Sequence, residues 1–312
     1  MDQGFTFSVF LVAWLTAAIR LSGPLLLAAL GETFSERSGL LNIGIEGTML
    51  LGAITSYLVT LWTGSPWLGL LAAMLIGLLA NTFLAWMYVQ VQANQVVVGI
   101  IFNILALGVA SYTYRLSMEG VTGPQKVAMF EPIPIPGLAA IPIVGPILFT
   151  HSILLYLTVA LVAVAAFVLY RTRFGLQLRA AGENPRAGSA AGIDIVRMRY
   201  AGVLISGIAA AAAGAYLVLV QVGLFRETIV AGQGFIALAI VIFGRWDPWK
   251  VAIAAFVFGA ADALQLSLQL FQVGLPPQLL LSLPYLLTIL AMSGILGKTH
   301  QPEALMASYR RE

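Results

Sequence analysis

Long apolar runs separated by short polar stretches recur along the whole chain. A helix that crosses a bilayer needs roughly 20 mostly apolar residues. Eight runs meet that length, at about 7–30, 40–62, 66–91, 94–116, 149–170, 199–222, 250–272 and 279–297. A ninth, at about 230–246, is short and interrupted by Gly232, Gly234 and Gly244, so it reads either as a full span or as a half-helix. Backbone groups inside lipid must be satisfied within the protein, so a broken segment at that depth has to be shielded by other helices. The pattern predicts an all-α, polytopic transmembrane helical bundle of about nine spans, within bounds of eight to ten, with Gly-broken helices. The stretch 117–148 interrupts the pattern. It carries Pro124, Pro132, Pro134, Pro136, Pro142 and Pro146, and proline cannot continue a helix. It reads as a long external connection, either an ordered extended loop or a partly mobile lid. No other region is set apart, and 1–312 reads as a single transmembrane domain.

The basic residues orient the bundle. With nine spans, Arg37, the loop 171–199 (Arg171, Arg173, Arg179, Arg186, Arg197, Arg199), Arg245, Lys250 and the tail (Lys298, Arg310, Arg311) fall on one side. Arg115, Lys126 and Arg226 fall on the other, and Arg20 lies within the first span. Because loops on the cytoplasmic side carry the excess of Lys and Arg, the C-terminus is expected in the cytoplasm and the N-terminus outside. An eight-span arrangement would scatter the charges over both faces. Met1-Asp2-Gln3-Gly4 lacks the positive start of a cleavable signal peptide, so 7–30 reads as a retained span.

Composition agrees. Of the 312 residues, 60% are hydrophobic and 9% charged, against about 25% charged in average soluble domains. A surface that apolar needs lipid as its solvent. The net charge of +3 does not point to nucleic acid. With no cysteine and only His151 and His300, thiolate and histidine metal centres are excluded, and no cofactor or metal site is expected.

Candidate chemistry lies where the apolar pattern breaks, because polar side chains inside a span usually face a cavity or a partner. Glu46 sits in Asn42-Ile43-Gly44-Ile45-Glu46-Gly47, and at a spacing of four Asn42 and Glu46 would share a helical face. The pair reads either as a gating constellation on a translocation path or as part of an ion pair with Arg20. Asp262, Gln265 and Gln269 form a stripe on one face of a later span, suited to a hydrophilic path or to a helix seam. The amides Asn81, Asn94, Gln95, Asn103 and Gln221 can both donate to and accept from hydroxyls and nucleobase edges. Singly, each reads as interhelical glue; together they suggest a path for a neutral polar solute. The expected path and gating residues are therefore Asn42, Glu46, Asn81, Asn103, Gln221, Asp262 and Gln265. Phe102, Tyr112, Phe235 and Tyr285 could stack on a base or sugar, or face lipid. Gly294-Ile295-Leu296-Gly297-Lys298-Thr299 ends like a phosphate-binding loop, but position 292 is Met where that loop needs glycine, and no strand precedes it. No nucleophile–base constellation is visible, so no catalytic residue is assigned.

Within 171–199, Glu183-Asn184-Pro185-Arg186-Ala187 resembles a helix start, with Asn184 as cap and Pro185 at the first helical position. Ala187, Ala190 and Ala191 continue it, and Gly192 ends it. Such a short helix is either a plain connector or a knob for a partner's cleft. The run Gly182 to Gly192 resembles the coupling loop of importer permeases in the ATP-binding-cassette (ABC) superfamily. The run Gly31-Glu32 through Ser35-Glu36-Arg37-Ser38-Gly39-Leu40-Leu41-Asn42-Ile43-Gly44-Ile45-Glu46-Gly47 resembles the signature of the branched-chain amino acid/ribose-type permeases. Its Asn-Ile-Gly-Ile-Glu-Gly core is closest to the nucleoside and simple-sugar branch. A third match is Gly232-Gln233-Gly234-Phe235-Ile236-Ala237-Leu238-Ala239-Ile240 with Phe243-Gly244-Arg245-Trp246.

The resemblance implies a non-catalytic permease subunit in a bacterial inner membrane that carries nucleosides. It implies a second permease, often a related but different chain, two ABC ATPases docking on Gly182, Glu183, Asn184, Pro185, Arg186, Ala187, Ala191 and Gly192, and an external binding protein or lipoprotein. Ribose-like sugars and branched-chain amino acids are the alternative substrates. A reading from another class, an ATP-independent secondary transporter, would need Glu46 and Asp262 as a coupling-ion site.

Overall fold

The computed structural model describes residues 7–120, 123–270, 282, 286, 289 and 300–309. Among them, seven helices are long and apolar enough to cross a membrane. Six of these are α1 (Phe7–Arg37), α2 (Ile45–Thr63), α3 (Pro66–Val89), α4 (Gln95–Ser117), α6 (Ile153–Arg171) and α11 (Pro248–Leu270). The seventh is α9 (Ile195–Tyr216), which continues as a π-helical turn over Leu217–Val222. The predicted segment 230–246 is not a full-length span. Its helix, α10, covers only Gln233–Phe243, about 16 Å at 1.5 Å per residue against a hydrocarbon core of about 30 Å. The glycine pattern is the cause, since Ala231 and Gly232 adopt left-handed backbone (φ 48° and 83°) and stop helix from extending towards the π turn. Of the expected span at 279–297 only residues 282, 286 and 289 are described; Tyr285, the Gly294–Thr299 run, Lys298, Arg310 and Arg311 lie outside the described residues.

At the centre, α9 packs against α1, α2 and α3; α1 also packs along α11, and α2 against α4. In lipid the hydrophobic effect does not drive helices together, so close backbone approach and hydrogen bonds must do so. The run Ala209–Ala213 with Gly214 supplies the approach. A Cβ on Gly214 would collide with the Met49 carbonyl, and one on Gly52 with the backbone of Ala211. These two glycines therefore set the α2–α9 distance, and either side chain would force the helices apart.

From Gly123 onward the Pro-rich connection carries local structure. Pro132–Pro134 (β1) pairs antiparallel with Thr150–Ser152 (β2), Ile133 opposite His151, and the short helix α5 (Val144–Leu148) lies between them. The Val127 and Phe130 amides donate to the Gly223 and Leu219 carbonyls at 3.0 and 2.8 Å, so the loop is stitched to the π-helical end of α9. Arg115 and Glu227 pair at 3.9 Å at the same end of the bundle. At the opposite, basic end, α7 (Arg173–Glu183) and α8 (Pro185–Ala190) connect α6 to α9.

Candidate functional site

Two broken segments meet at Glu46. The chain leaves α1 at Arg37 and runs without regular helix through residues 38–44, so Asn42 precedes α2 rather than sharing a helical face with Glu46. The backbone groups of this entry are satisfied by side chains from α4. Gln95 Oε1 accepts the Leu41 amide at 2.8 Å, while Asn103 accepts the Gly47 amide at 2.8 Å and donates to the Ile43 carbonyl at 3.0 Å. Asn94 instead caps α4, accepting from the Val96 and Val97 amides.

Glu46 reaches the start of the half-helix α10. Its Oε1 accepts the Gly232 amide at 2.8 Å and its Oε2 the Gly234 amide at 2.7 Å. A carboxylate at a helix N-terminus meets both unpaired N–H groups and the positive end of the helix dipole. The fit requires glycine at 234, where a Cβ would sit 2.7 Å from the Glu46 backbone. The ion pair expected with Arg20 does not form; two backbone amides take the place of the cation. The other end of α10 is also held by an acid. Arg245 and Trp246 turn back through left-handed backbone (φ 53° and 56°). The Trp246 indole then donates to Glu36 Oε2, and Arg37 Nε donates to the Trp246 carbonyl at 3.1 Å. The half-helix is therefore pinned to α2 at its start and to α1 at its end.

Asn42 turns away from Glu46 into a fully buried cluster. Its Nδ2 donates to Asn81 Oδ1 at 2.8 Å and to Ser206 Oγ at 3.1 Å, and its backbone amide donates to Glu32 Oε1 at 2.9 Å. Ser206 donates to Glu32 Oε2 at 2.6 Å, and Asn81 to Thr48 Oγ1 at 3.0 Å. All five side chains, on α1, the entry turn, α2, α3 and α9, have no solvent exposure. The sequence reading assigned no role to Glu32, Thr48 or Ser206. Glu32 lies in the polar stretch that follows the apolar run 7–30, so neither its charge nor its spacing marked it.

The remaining expected path residues lie apart from this junction. Asp262 is half-buried and Gln265 buried on α11, beyond the Gly259 contact with α1; among the described residues no hydrogen bond joins either to Glu46. Gln221 lies in the π-helical turn, its amide donating to the Arg20 carbonyl at 3.3 Å. Phe235, beside the Glu46 junction, is 47% exposed.

At the basic end, Asn184 Oδ1 caps α8 by accepting the Ala187 amide at 3.0 Å, Pro185 stands at the first helical position, and Gly192 ends the turn at φ 83°. Glu183, Asn184, Arg186, Ala187, Ala191 and Gly192 are exposed, Pro185 is half-buried and Gly182 is buried. Gly182 lies against the Arg37 carbonyl, and Arg37 approaches Glu183 at 3.7 Å. Residues 304–309 close the base of this knob. The Ala304 amide donates to the Gly182 carbonyl (2.9 Å) and the Met306 amide to the Gly39 carbonyl (3.0 Å). Arg199 and Gln92 donate to the Ala307 and Tyr309 carbonyls, each at 2.9 Å. Nothing in the sequence announced this strap, because its bonds are mostly to backbone and carry no side-chain pattern.

Residues 14–292 match the family described as the branched-chain amino acid transport system / permease component. The chain belongs to this family. The permease is 39% identical over 297 residues to the guanosine ABC transporter permease protein NupQ of Bacillus subtilis (strain 168), covering 92% of this chain and 93% of that one. It is 35% identical over 299 residues to the nucleoside ABC transporter permease protein NupC of Lactococcus lactis subsp. cremoris (strain MG1363), again covering 92% and 93%. A second Bacillus subtilis protein, the guanosine ABC transporter permease protein NupP, is 27% identical over 251 residues, covering 72% and 66%. No solved structure matches the chain significantly.

Proposed function

We propose that this permease forms half of the membrane pore of an ATP-driven importer for nucleosides. The observation that carries the substrate class is the near full-length similarity to two permeases named for guanosine and nucleosides. In this reading residues 1–312 act as one transmembrane permease domain. It catalyses no reaction itself, and two ABC ATPases hydrolyse the ATP. They dock on the exposed knob from Glu183 to Gly192, and an extracytoplasmic binding protein or lipoprotein delivers the solute. The second permease is a related but different chain. Two distinct guanosine permeases of one organism, each similar to this chain, support that pairing. The basic end faces the cytoplasm, which follows from the clustering of Arg37, Arg179, Arg186, Arg197 and Arg199 there.

Within the membrane, Glu46, Asn103, Gln221, Asp262 and Gln265 are assigned to the path and its gate. Asn42 and Asn81 hold the gate's base through the buried cluster. The junction at Glu46 supports a gating role because it joins two segments that are not continuous helix, the arrangement many transporters use near their sites. The test is co-purification from the native host followed by reconstitution. An ABC ATPase, a second permease and a lipoprotein should accompany the tagged chain, and liposomes containing the complex should take up labelled nucleoside only with ATP. A chain that purifies alone and transports without ATP would be a secondary transporter, with Glu46 and Asp262 as ion-coupling candidates.

A further inference from the structure

At the end opposite the basic face, a cavity of about 1000 Å³ opens between three segments that are far apart in sequence. One wall is the first half of α1, from Val9 to Arg20. The second is the ordered loop, from Met129 to Pro132 and Ile143 to Ser152. The third is the end of α9 with its π turn, through Tyr216, Val220 and Gln221. Cavities that enclose small ligands are commonly about 300–1,000 Å³, mostly apolar, with a few placed polar groups. This one has that character.

Its floor is built by a missing donor. Pro24 lies inside α1, and a proline inside a helix leaves the carbonyl four residues earlier without its intrahelical partner. That carbonyl belongs to Arg20. It accepts instead from Gln221 Nε2 at 3.3 Å and from the Tyr216 hydroxyl at 3.4 Å. Tyr216 comes this close because Gly23 has no side chain; a Cβ there would lie 2.6 Å from the phenol ring. The wider π turn at the end of α9 then presents Gln221 on the cavity side. One amide proton of Gln221 is engaged by the freed carbonyl, which fixes the side chain and leaves its carbonyl oxygen and second proton for a ligand.

The charges also narrow the ligand. Arg20 and Glu131 line the cavity, both are exposed, and neither forms an ion pair among the described residues. One cation and one anion give the walls no net charge to select an ion. A carboxylate can accept from both hydroxyls of a ribose diol. An oriented amide can pair with a base edge, and a guanidinium can donate to base or sugar oxygens. The His151 ring is engaged within the loop, its Nε2 2.7 Å from the Ile147 carbonyl, and burial lowers its imidazole below the ordinary value.

We propose that this chamber is a nucleoside-binding site within the single permease subunit, with Gln221 reading the base, Glu131 the ribose hydroxyls and Arg20 the oxygens between them. The proposal rests on the nucleoside assignment above and adds a site that binds solute without the delivery protein.

The test uses the complete transporter in nanodiscs, without binding protein, and tritiated guanosine in equilibrium binding. Wild type should bind saturably, with competition by unlabelled guanosine. Gln221→Leu and Glu131→Gln should each weaken binding by about tenfold, the loss of roughly one good hydrogen bond. Ala17→Phe, which projects a ring into the chamber from α1, should also weaken it. ATPase co-purification checks that each variant assembles, and Arg20→Gln replaces Ala17→Phe if the latter fails to assemble. Absence of saturable binding, equal binding by all variants, or displacement of an acyl chain rather than guanosine from the chamber would overturn the site. Nucleoside uptake by the full complex with its binding protein would then still support the permease assignment. A wild-type complex that takes up no nucleoside would overturn both.

Discussion

Replacing Glu46 by alanine should loosen the half-helix α10 from α2. The carboxylate accepts from the Gly232 and Gly234 amides at 2.8 and 2.7 Å, and among the described residues neither amide has another acceptor. Hydrogen bonds to charged groups are worth about 1.5–3 kcal/mol each. Polar contacts in membranes average only about 0.6 kcal/mol, with a maximum near 1.7. Glu46 is half-buried, which lets water replace part of what is lost. Taken together, these set an expected cost of about 2–4 kcal/mol. The assay is the unfolding equilibrium in mixed detergent–SDS micelles, run beside nucleoside uptake by the reconstituted complex. Glu46→Gln should fall between wild type and Glu46→Ala, because one amide oxygen remains as acceptor. Gly234→Ala puts a Cβ against the Glu46 backbone and breaks the same junction, so the double variant should cost at least about 1 kcal/mol less than the sum of the two. Additive losses, or a Glu46→Ala cost below about 0.5 kcal/mol with normal uptake, would refute the pinning argument.

Asn42→Leu removes the side-chain donor to Asn81 Oδ1 and Ser206 Oγ inside a cluster without exposure, while Glu32 keeps the backbone amide of residue 42 and the Ser206 hydroxyl. It should cost about 1–3 kcal/mol in the same unfolding assay; near-neutral stability would show the Asn42 amide to be dispensable. Gly52→Leu drives a side chain into the Ala211 backbone. Membrane-inserted, folded protein should fall severalfold by fluorescence size exclusion, and wild-type yield would contradict the α2–α9 contact. Replacing Asn184-Pro185-Arg186 by Gly-Ser-Gly removes the cap and first turn of α8. ATPase co-purification should be lost while insertion is retained; normal co-purification with normal uptake would remove the knob from the docking surface.

Some of this was readable from the sequence because the bilayer imposes it. The long spans follow from apolar length alone, and α8 was legible because Asn184 and Pro185 are chemically suited to a helix start. Asn42 was misplaced for an equally physical reason. A spacing of four implies a shared face only if the chain is helical, and the side chains that let residues 38–44 stay non-helical, Gln95 and Asn103, lie more than fifty positions away. The partner of Glu46 is more remote still, 186 positions along, so a buried acid suggested a cation where the fold supplied two amides. The half-membrane length of α10 was hinted at by Gly232 but fixed by Ala231, which carries no such signal. The chamber at Arg20 was invisible because three distant segments build it, although Pro24 marked the carbonyl that organises its floor.

The strap formed by residues 304–309 has a consequence for the order of events in biosynthesis. Its partners, Gly39, Gln92, Gly182 and Arg199, emerge from the ribosome well before it, so the four anchor points wait with open bonding positions while the later helices are made and inserted. The platform beneath the α8 knob is therefore closed only after translation has passed Tyr309. A product that stops short would carry the knob but not its footing, and an ATPase that senses the rigidity of that footing would distinguish finished chains from unfinished ones before any solute is moved.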